Sequence, residues 1–470
     1  MPRRTSLPEV IDLLVRAFFR EVEVTGLEHV PQTGGGILVS WHPNGLVDPA
    51  LIFSQFPRGV VFGARDGLFK WPLLGALMRH AGTVPIRRAA DAADEPDPEK
   101  RRATNRASLE TLARTVADGS FAALFPEGVS HDDSQPVEMK TGAARLYYLA
   151  RELQPAGAPA PAIVPVGLFY DRKHRFRSRA LVEFHPPLRL PATLDVDPTP
   201  DEPDEAGRER ARALTALVEE VLHDAVGATE DWATHDLLQR VRKLLHAERG
   251  GGHTSLRQET AEFAQIHDAY VALRTSAPQR TAALRIAVDH YDRDLLNLGL
   301  EDTELDGDPP LAAPGLLWLV LLQALLVFLL LPPVLAIGFL VNAPVALAVR
   351  GIALLAGKFK KDQATIKLLA AVLLYPLAWI AVGVVGWKAH VQLHQQYGLP
   401  DAPVAAGVAL TLIAMIGGAL ALFYLEFARA TARSIRVRLT RMQRLRSLAR
   451  LRGERARLAA EFRAMSADAP

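Results

Sequence analysis

The chain has 470 residues, a nearly balanced net charge of +2 and no cysteine. This length is sufficient for two or three domains with a sizeable core. The charge balance gives no reason to expect a nucleic-acid partner. The absence of cysteine excludes thiolate nucleophiles, cysteine-based zinc sites and disulfides, and no metal site is expected.

Residues 1–24 predict an amphipathic N-terminal helix. Ile11, Leu14, Val15 and Phe18 share one stripe at helical spacing, and the segment lacks the long apolar core of a secretory signal. Such a stripe fits either packing on a protein core or contact with a membrane surface.

Residues 25–190 alternate short apolar runs with helical patterns, which is typical of an α/β domain. Strands are predicted at 36–40, 59–63, 121–125 and 162–166, and helices near 72–80, 98–118 and 140–153. We therefore expect a mixed sheet flanked by helices. A linker rich in proline and acidic residues follows at 191–205, and residues 206–310 predict a helical insertion without identifiable site chemistry.

Residues 311–427 predict a helical transmembrane region. The apolar stretches 311–349, 366–387 and 402–425 each reach the roughly 20 residues that span a bilayer core. Lysine and arginine flank these stretches, whereas the loop 388–403 has few of them. Placing every basic stretch in the cytoplasm requires an even number of crossings. We therefore expect 311–349 to turn back at Pro332-Pro333 as a hairpin, with the α/β domain facing the cytoplasm.

The tail, residues 428–470, alternates arginine with apolar residues and predicts a basic helix. A coiled coil or a solvated helix fits this pattern. A helix lying on anionic membrane lipid is favoured, because a transmembrane segment would deliver the tail to that surface.

The first candidate site lies between Ser40 and Pro49. A strand ends at Ser40, and His42 follows at the carboxyl edge, where α/β folds bind ligands. A strand–loop–helix turn would bring Asp48 back onto the ring of His42. Asp48 would then accept a hydrogen bond from one ring nitrogen and make the other a better base. Taken alone, such a pair is more often structural, since the chain has 14 histidines.

Two further motifs carry charge at turns. Glu127 and Gly128 follow an apolar strand in Phe-Pro-Glu-Gly, where the glycine permits close backbone approach, although an ordinary turn explains the motif equally well. Arg88 ends a short strand, with Arg65 upstream and Lys140 downstream. Arginine suits bidentate capture of phosphate, and a solvated charged edge is the alternative.

The order of these motifs is more specific than any one of them. A His–Asp box is followed by Gly82-x-x-Pro-x-x-Arg88, then Phe125-Pro-Glu-Gly128, then Val164-Pro-Val-Gly167. This order resembles the four blocks of the glycerolipid acyltransferase superfamily over about residues 25–190. Further stretches are similar to the fungal-type glycerol-3-phosphate/dihydroxyacetone-phosphate acyltransferases: His42-Pro-Asn, Ser130-His-Asp and His174-Arg-Phe-Arg-Ser-Arg179.

Two departures from the superfamily pattern concern spacing and one hydroxyl. Five residues separate His42 from Asp48 rather than four, as in the fungal-type branch. Val129 stands where most members have threonine. The second departure weakens the assignment to the lysophosphatidate branch.

The resemblance implies a membrane-bound O-acyltransferase of phospholipid biosynthesis. It would move a fatty acyl group from acyl-CoA or acyl carrier protein to glycerol 3-phosphate or dihydroxyacetone phosphate, without a further cofactor. His42 would act as general base and Asp48 would orient it, while a backbone N–H near Gly45 or Gly128 would stabilise the oxyanion. The expected site comprises catalytic His42 and Asp48 and the substrate-binding residues Arg65, Arg88, Glu127, Gly128 and Lys140.

Two alternatives remain open. An enzyme of the same kind would use lysophosphatidate or another lysophospholipid as acceptor. A protein of a different class would be a membrane scaffold or lipid transporter with a degenerate acyltransferase domain. The presence of both His42 and Asp48 speaks against the second.

Overall fold

The computed structural model describes residues 6–86, 97–155, 157–198, 204–306, 314–356 and 360–467. The chain divides into two compact units. The first comprises Met1–His235, Thr254–Ala264 and Phe359–Thr365, and the second comprises Asp236–His253, Gln265–Lys358 and Ile366–Pro470.

A seven-stranded sheet forms the centre of the first unit. Its strands are β1 Glu21–Thr25, β2 Gly36–Ser40, β3 Val60–Arg65, β4 Val84–Ile86, β5 Phe121–Leu124, β6 Ala162–Tyr170 and β7 Arg179–Phe184, in the order β1-β7-β6-β2-β5-β3-β4. Every pairing is parallel except β6 with β7. The predicted mixed sheet is confirmed, and β1 and β7 are strands that the sequence pattern did not indicate.

Helices cover both faces of this sheet. Ile37 and Val39 of β2 belong to an apolar cluster with α4, α5 and α6, whereas Leu38 belongs to a second cluster with α1 and α2. Successive residues of a strand point to opposite faces, so a central strand buried on both faces is largely apolar along its length.

The helices up to residue 298 are α1 Ser6–Phe18, α2 Val47–Gln55, α3 Pro72–His80, α4 Pro98–Ala117, α5 Gly142–Leu153, α6 Asp204–Ala225, α7 Trp232–Glu248, α8 Leu256–Ser276 and α9 Pro278–Leu298.

Long apolar helices dominate the second unit. They are α10 Pro314–Leu325, a π-helical turn at Leu326–Leu330, α11 Leu331–Val334, α12 Ala336–Ala356, α13 Lys360–Tyr397 and α14 Pro403–Gln443, followed by α15 Leu445–Ala467. Three described stretches are long and apolar enough to cross a bilayer: Gly338–Ala356, Gln363–Tyr397 and Pro403–Gln443. These helices indicate integration into a membrane.

The predicted hairpin at Pro332-Pro333 is wrong, because the helical path continues through the two prolines. The backbone N–H of Leu335 donates to the Leu331 carbonyl at 3.1 Å, and that of Phe339 donates to the Leu335 carbonyl at 3.0 Å. Both prolines lie in the first turn of α11, where a missing N–H leaves no carbonyl of that helix unpaired.

Contacts with α14 show the same continuous path. Gln323 donates to the Thr431 hydroxyl at 3.2 Å, and Asn342 donates to the Ala414 carbonyl at 2.9 Å. The contacts on α14 therefore move towards its N-terminus as the first segment advances, so the two run antiparallel from 323 to 342.

A polar side chain joins three of the apolar helices. The amide nitrogen of Asn342 in α12 donates to the carbonyls of Gly338 and Ala414, both at 2.9 Å, and its oxygen accepts from the Trp379 indole of α13 at 3.0 Å. A Cβ added at Gly418 of α14 would lie 2.8 Å from the Asn342 amide, so glycine is needed for this approach. Every donor and acceptor of the Asn342 amide is satisfied, as a buried amide among apolar helices requires.

Part of the basic tail is engaged within its own unit. Arg433 of α14 contacts Glu304 at 2.6 Å, and Arg455 of α15 contacts Glu248 at 2.8 Å and Asp306 at 2.7 Å. The Arg455 side chain is 6% exposed. These arginines therefore connect the tail to residues that precede α10, and whether the tail also lies on lipid stays a prediction.

Candidate active site

The candidate residues collect at one edge of the sheet. Strands β2, β3, β4, β5 and β6 run in the same direction, so their carboxyl ends meet at this edge. His42 follows β2, Glu127 follows β5, Arg65 ends β3 and Tyr170 ends β6. Ligands of open α/β sheets bind at this edge, in the loops that follow the strands.

The loop between β2 and α2 pairs His42 with Asp48. Gly45 adopts a left-handed φ of 46°, the N–H of Val47 donates to the Asn44 carbonyl, and α2 begins at Val47. Asp48 thereby lies in the first turn of α2, with its Oδ2 2.8 Å from Nδ1 of His42 and 2.7 Å from the backbone nitrogen of Asn44. The predicted contact between the two side chains is present, and the Asp48 side chain is fully buried.

Tyr170 supplies a third group that sequence reasoning missed. Its hydroxyl donates to the second carboxylate oxygen of Asp48, Oδ1. Burial, followed by the charge of Asp48, raises the pKa of Tyr170 well above its usual value, so the phenol remains a neutral donor. Its only sequence signal is its position at the carboxyl end of an apolar strand that reaches the same edge as His42.

The His42 ring is held at one nitrogen and on one face. The ring stacks on Phe125 with centroids 4.1 Å apart and planes 13° from parallel. Its side chain is 18% exposed, and Nε2 has no hydrogen-bond partner among the described residues. Asp48 on one nitrogen and Phe125 on one face therefore hold the ring with Nε2 available as a base.

Glu127 is directed towards the protein rather than the open site. Its Oε2 accepts the backbone N–H of His42 at 2.7 Å. Its Oε1 lies 2.7 Å from Nε2 of His131 and 3.0 Å from the backbone nitrogen of Val137. The Glu127 side chain is fully buried, so in this structure it positions His42. His131, which also donates its backbone N–H to the His42 carbonyl, is a second supporting residue that the sequence did not single out for this role.

The two glycines proposed near the oxyanion differ in their hydrogen bonds. The N–H of Gly128 donates to the Phe125 carbonyl at 3.0 Å and closes the turn, in which Gly128 has a φ of 70°. The N–H of Gly45 has no partner among the described residues. Of the two, this leaves Gly45 as the candidate donor to an oxyanion.

The predicted phosphate-binding residues are less closely grouped. Arg65 is exposed at the end of β3, two strands from β2. Lys140 bonds to Glu138 at 2.8 Å, and this hydrogen bond lowers the pKa of the exposed Glu138 carboxyl. Arg88 lies outside the described residues. Within the described ranges, no group of three or more His, Asp or Glu side chains is arranged to hold a metal ion.

Comparisons with known proteins also indicate an acyltransferase. Residues 21–168 match the family model described as Acyltransferase. An uncharacterized acyltransferase of Schizosaccharomyces pombe is 24% identical over 262 residues, covering 39% of this chain and 38% of that protein. Glycerol-3-phosphate O-acyltransferase 1 of Saccharomyces cerevisiae is 30% identical over 129 residues, covering 27% and 16%. Lyso-ornithine lipid O-acyltransferase of Rhizobium meliloti is 32% identical over 82 residues, covering 17% and 24%.

Each of these matches spans well under half of the relative's length. The matched region contains β1 to β5 and most of β6, and with them His42, Asp48 and Glu127. Residues 21–168 of the chain therefore match an acyltransferase domain, and the similar proteins support the predicted resemblance to the glycerolipid acyltransferase superfamily.

Proposed function

We propose that this protein transfers a fatty acyl group from a thioester donor to a hydroxyl of glycerol 3-phosphate or dihydroxyacetone phosphate. The observation that carries the proposal is the His42–Asp48 pair inside an acyltransferase domain: Asp48 is fully buried, the His42 side chain is 18% exposed, and Nε2 has no partner among the described residues. The match to a glycerol-3-phosphate O-acyltransferase of yeast supports this acceptor.

The chemistry needs a base, an oxyanion donor and no covalent acyl-enzyme. Nε2 of His42 takes the proton of the acceptor hydroxyl while the hydroxyl oxygen attacks the thioester carbonyl carbon. The oxyanion of the tetrahedral intermediate accepts a hydrogen bond from the N–H of Gly45. Collapse of the tetrahedral intermediate breaks the carbon–sulfur bond, and the departing thiolate takes the proton from Nε2. The products are the ester and a free thiol, such as CoA or the carrier protein's thiol.

Asp48 has two tasks in this scheme. It keeps the Nδ1 proton in place, and its charge stabilises the imidazolium that forms during attack. Arg88 is our first choice for the acceptor phosphate, with Arg65 and Lys140 as helpers and Gly128 shaping the turn beside the acceptor. Glu127 acts through the backbone of His42.

Membrane integration suits an amphiphilic product, which an active site near the bilayer surface releases into lipid. We place the catalytic domain on the cytoplasmic side, because the phosphate ester and thioester substrates are cytoplasmic and the lysine and arginine bias favours that orientation.

A lysophospholipid acceptor is the second candidate; the match to a lyso-ornithine lipid O-acyltransferase supports the broader class of lysolipid acceptors to which it belongs. A scaffold or transporter with a degenerate domain is disfavoured by the contact between His42 and Asp48. The deciding experiment is acylation by purified protein in mixed micelles, with glycerol 3-phosphate, dihydroxyacetone phosphate and lysophosphatidate as acceptors and acyl-CoA or acyl carrier protein as donor. We expect turnover of the first two acceptors and a loss of roughly 10²–10⁴-fold in His42→Ala. Turnover of lysophosphatidate alone, or full activity of His42→Ala, would contradict the proposal.

A further inference from the structure

A basic loop lies beside the catalytic loop. Residues 171–178 connect β6 to β7 at the carboxyl edge, and β6 is the immediate neighbour of β2. The side-chain amide of Asn44, two residues after His42, donates to the backbone carbonyl of Lys173 at 2.9 Å. The loop is thus hydrogen-bonded directly to the segment that carries the His42–Asp48 pair.

Two arginines occupy the ends of one turn in this loop. The N–H of Arg175 donates to the Arg172 carbonyl at 2.9 Å, which closes a four-residue turn. The Cα atoms at the ends of such a turn lie within about 7 Å of each other, so both guanidinium groups can reach one anion. Both side chains are exposed. Arg172 has one weak ion contact, to Asp171 at 3.9 Å, and Arg175 has no ion pair with a described residue.

The turn is held on both sides. Nζ of Lys173 contacts Asp132 at 2.9 Å, and the N–H of Arg177 donates to the Phe18 carbonyl at 2.7 Å. The rings of Phe176 and Phe18 meet edge-on with centroids 5.8 Å apart. These tethers fix the backbone that carries the two arginines before any ligand arrives, which reduces the entropy lost by the loop on binding.

We propose that Arg172 and Arg175 form a clamp for a phosphate ester group of a substrate. A pair of guanidinium groups presents planar, charge-assisted donors that match phosphate oxygens. The inference rests on the proposed function, in which the glycerol phosphate acceptor and the CoA donor both carry phosphate. The clamp lies on the β6 side of His42, whereas Arg65 lies on the β3 side. The site therefore has cationic groups on both sides of the base, as two phosphate-bearing substrates require.

The test compares Arg172→Gln/Arg175→Gln with Arg114→Gln in the full-length protein in mixed micelles. Arg114 is an exposed arginine near the end of α4, which precedes the amino end of β5 and so lies away from the carboxyl edge of the sheet. It therefore controls for loss of surface charge. We expect the KM of one substrate to rise roughly tenfold to a hundredfold in the double variant, with kcat within about threefold of wild type. A rise for glycerol 3-phosphate assigns the clamp to the acceptor. A rise for acyl-CoA, absent with an acyl-pantetheine donor, assigns it to the donor.

Direct binding of glycerol 3-phosphate and of CoA, measured by calorimetry, separates this inference from the proposed function. If the wild type turns over no acceptor but the double variant alone loses binding of either ligand, the clamp stands and the proposed function fails. If the wild type is active while the double variant retains both KM values and both binding affinities, the clamp is overturned. A fall in kcat with unchanged KM values also overturns it.

Discussion

Tyr170→Phe is the most informative substitution near the catalytic pair. It removes one hydroxyl and leaves the ring, which stacks on Phe19 with centroids 5.8 Å apart. In the native chain this hydroxyl is the donor to Oδ1 of Asp48, whereas Oδ2 receives Nδ1 of His42 and the N–H of Asn44. The substitution therefore leaves one oxygen of a fully buried carboxylate without a partner.

The expected size follows from that unpaired oxygen. A hydrogen bond to a charged group contributes about 1.5–3 kcal/mol, and water cannot replace it at a carboxylate with no exposed surface. Part of this loss appears as reduced stability of the fold. The rest appears in the transition state, because a carboxylate with one free oxygen holds the imidazolium of His42 in a less defined geometry. We expect kcat to fall roughly tenfold, with the acceptor KM within about twofold.

The assay is steady-state acylation by purified protein in micelles, with Tyr148→Phe as the matched control. Tyr148 is a buried tyrosine of the same unit whose hydroxyl donates to the Leu194 carbonyl at 2.9 Å, and burial raises its pKa to about 12. Both variants should lose thermal stability, and only Tyr170→Phe should lose kcat. Equal kcat values in the two variants would show that Tyr170 serves the fold alone.

Three further predictions test other parts of the structure. Glu127→Gln places an amide NH₂ group against backbone N–H donors and should lower kcat roughly tenfold without changing the acceptor KM. The exposed Glu138→Gln variant is the control, and a rise in KM alone would instead indicate direct contact of Glu127 with substrate. Gly418→Ala forces a Cβ within 2.8 Å of the Asn342 amide, and this overpacking should destabilise the protein by about 1–3 kcal/mol. The thermal midpoint measured in detergent should fall in this variant but not in Gly453→Ala, because Gly453 has open space around it. Single cysteines at Gln363 and Gln395, near opposite ends of α13, should differ in labelling by an impermeant maleimide added to intact cells. Gln363 belongs to the same compact unit as the catalytic loop, where the Thr365 hydroxyl accepts the backbone N–H of Leu46 at 3.0 Å, so with a cytoplasmic catalytic domain only position 395 should react; labelling at 363 would reverse the assigned orientation.

Local patterns in the sequence indicated most elements of the α/β domain and the candidate His42–Asp48 pair. The apolar run Ile37-Leu38-Val39 indicates a strand buried on both faces, and β2 is buried throughout. The order of the four motifs indicated the family without knowledge of any interatomic distance. The apolar stretches likewise indicated the membrane helices, because hydrophobicity and length are properties of the segment itself.

The tertiary structure alone decided which groups meet. Asp48 and Tyr170 are 122 residues apart, and their contact depends on β6 pairing in parallel with β2, a register that no local pattern specifies. Whether Glu127 faces the substrate or the backbone of His42 depends on the direction of one turn. The continuous helix through Pro332-Pro333 was missed for a related reason. A proline disfavours a helix interior locally, yet its cost vanishes when a π-helical turn places it at the start of the next helix.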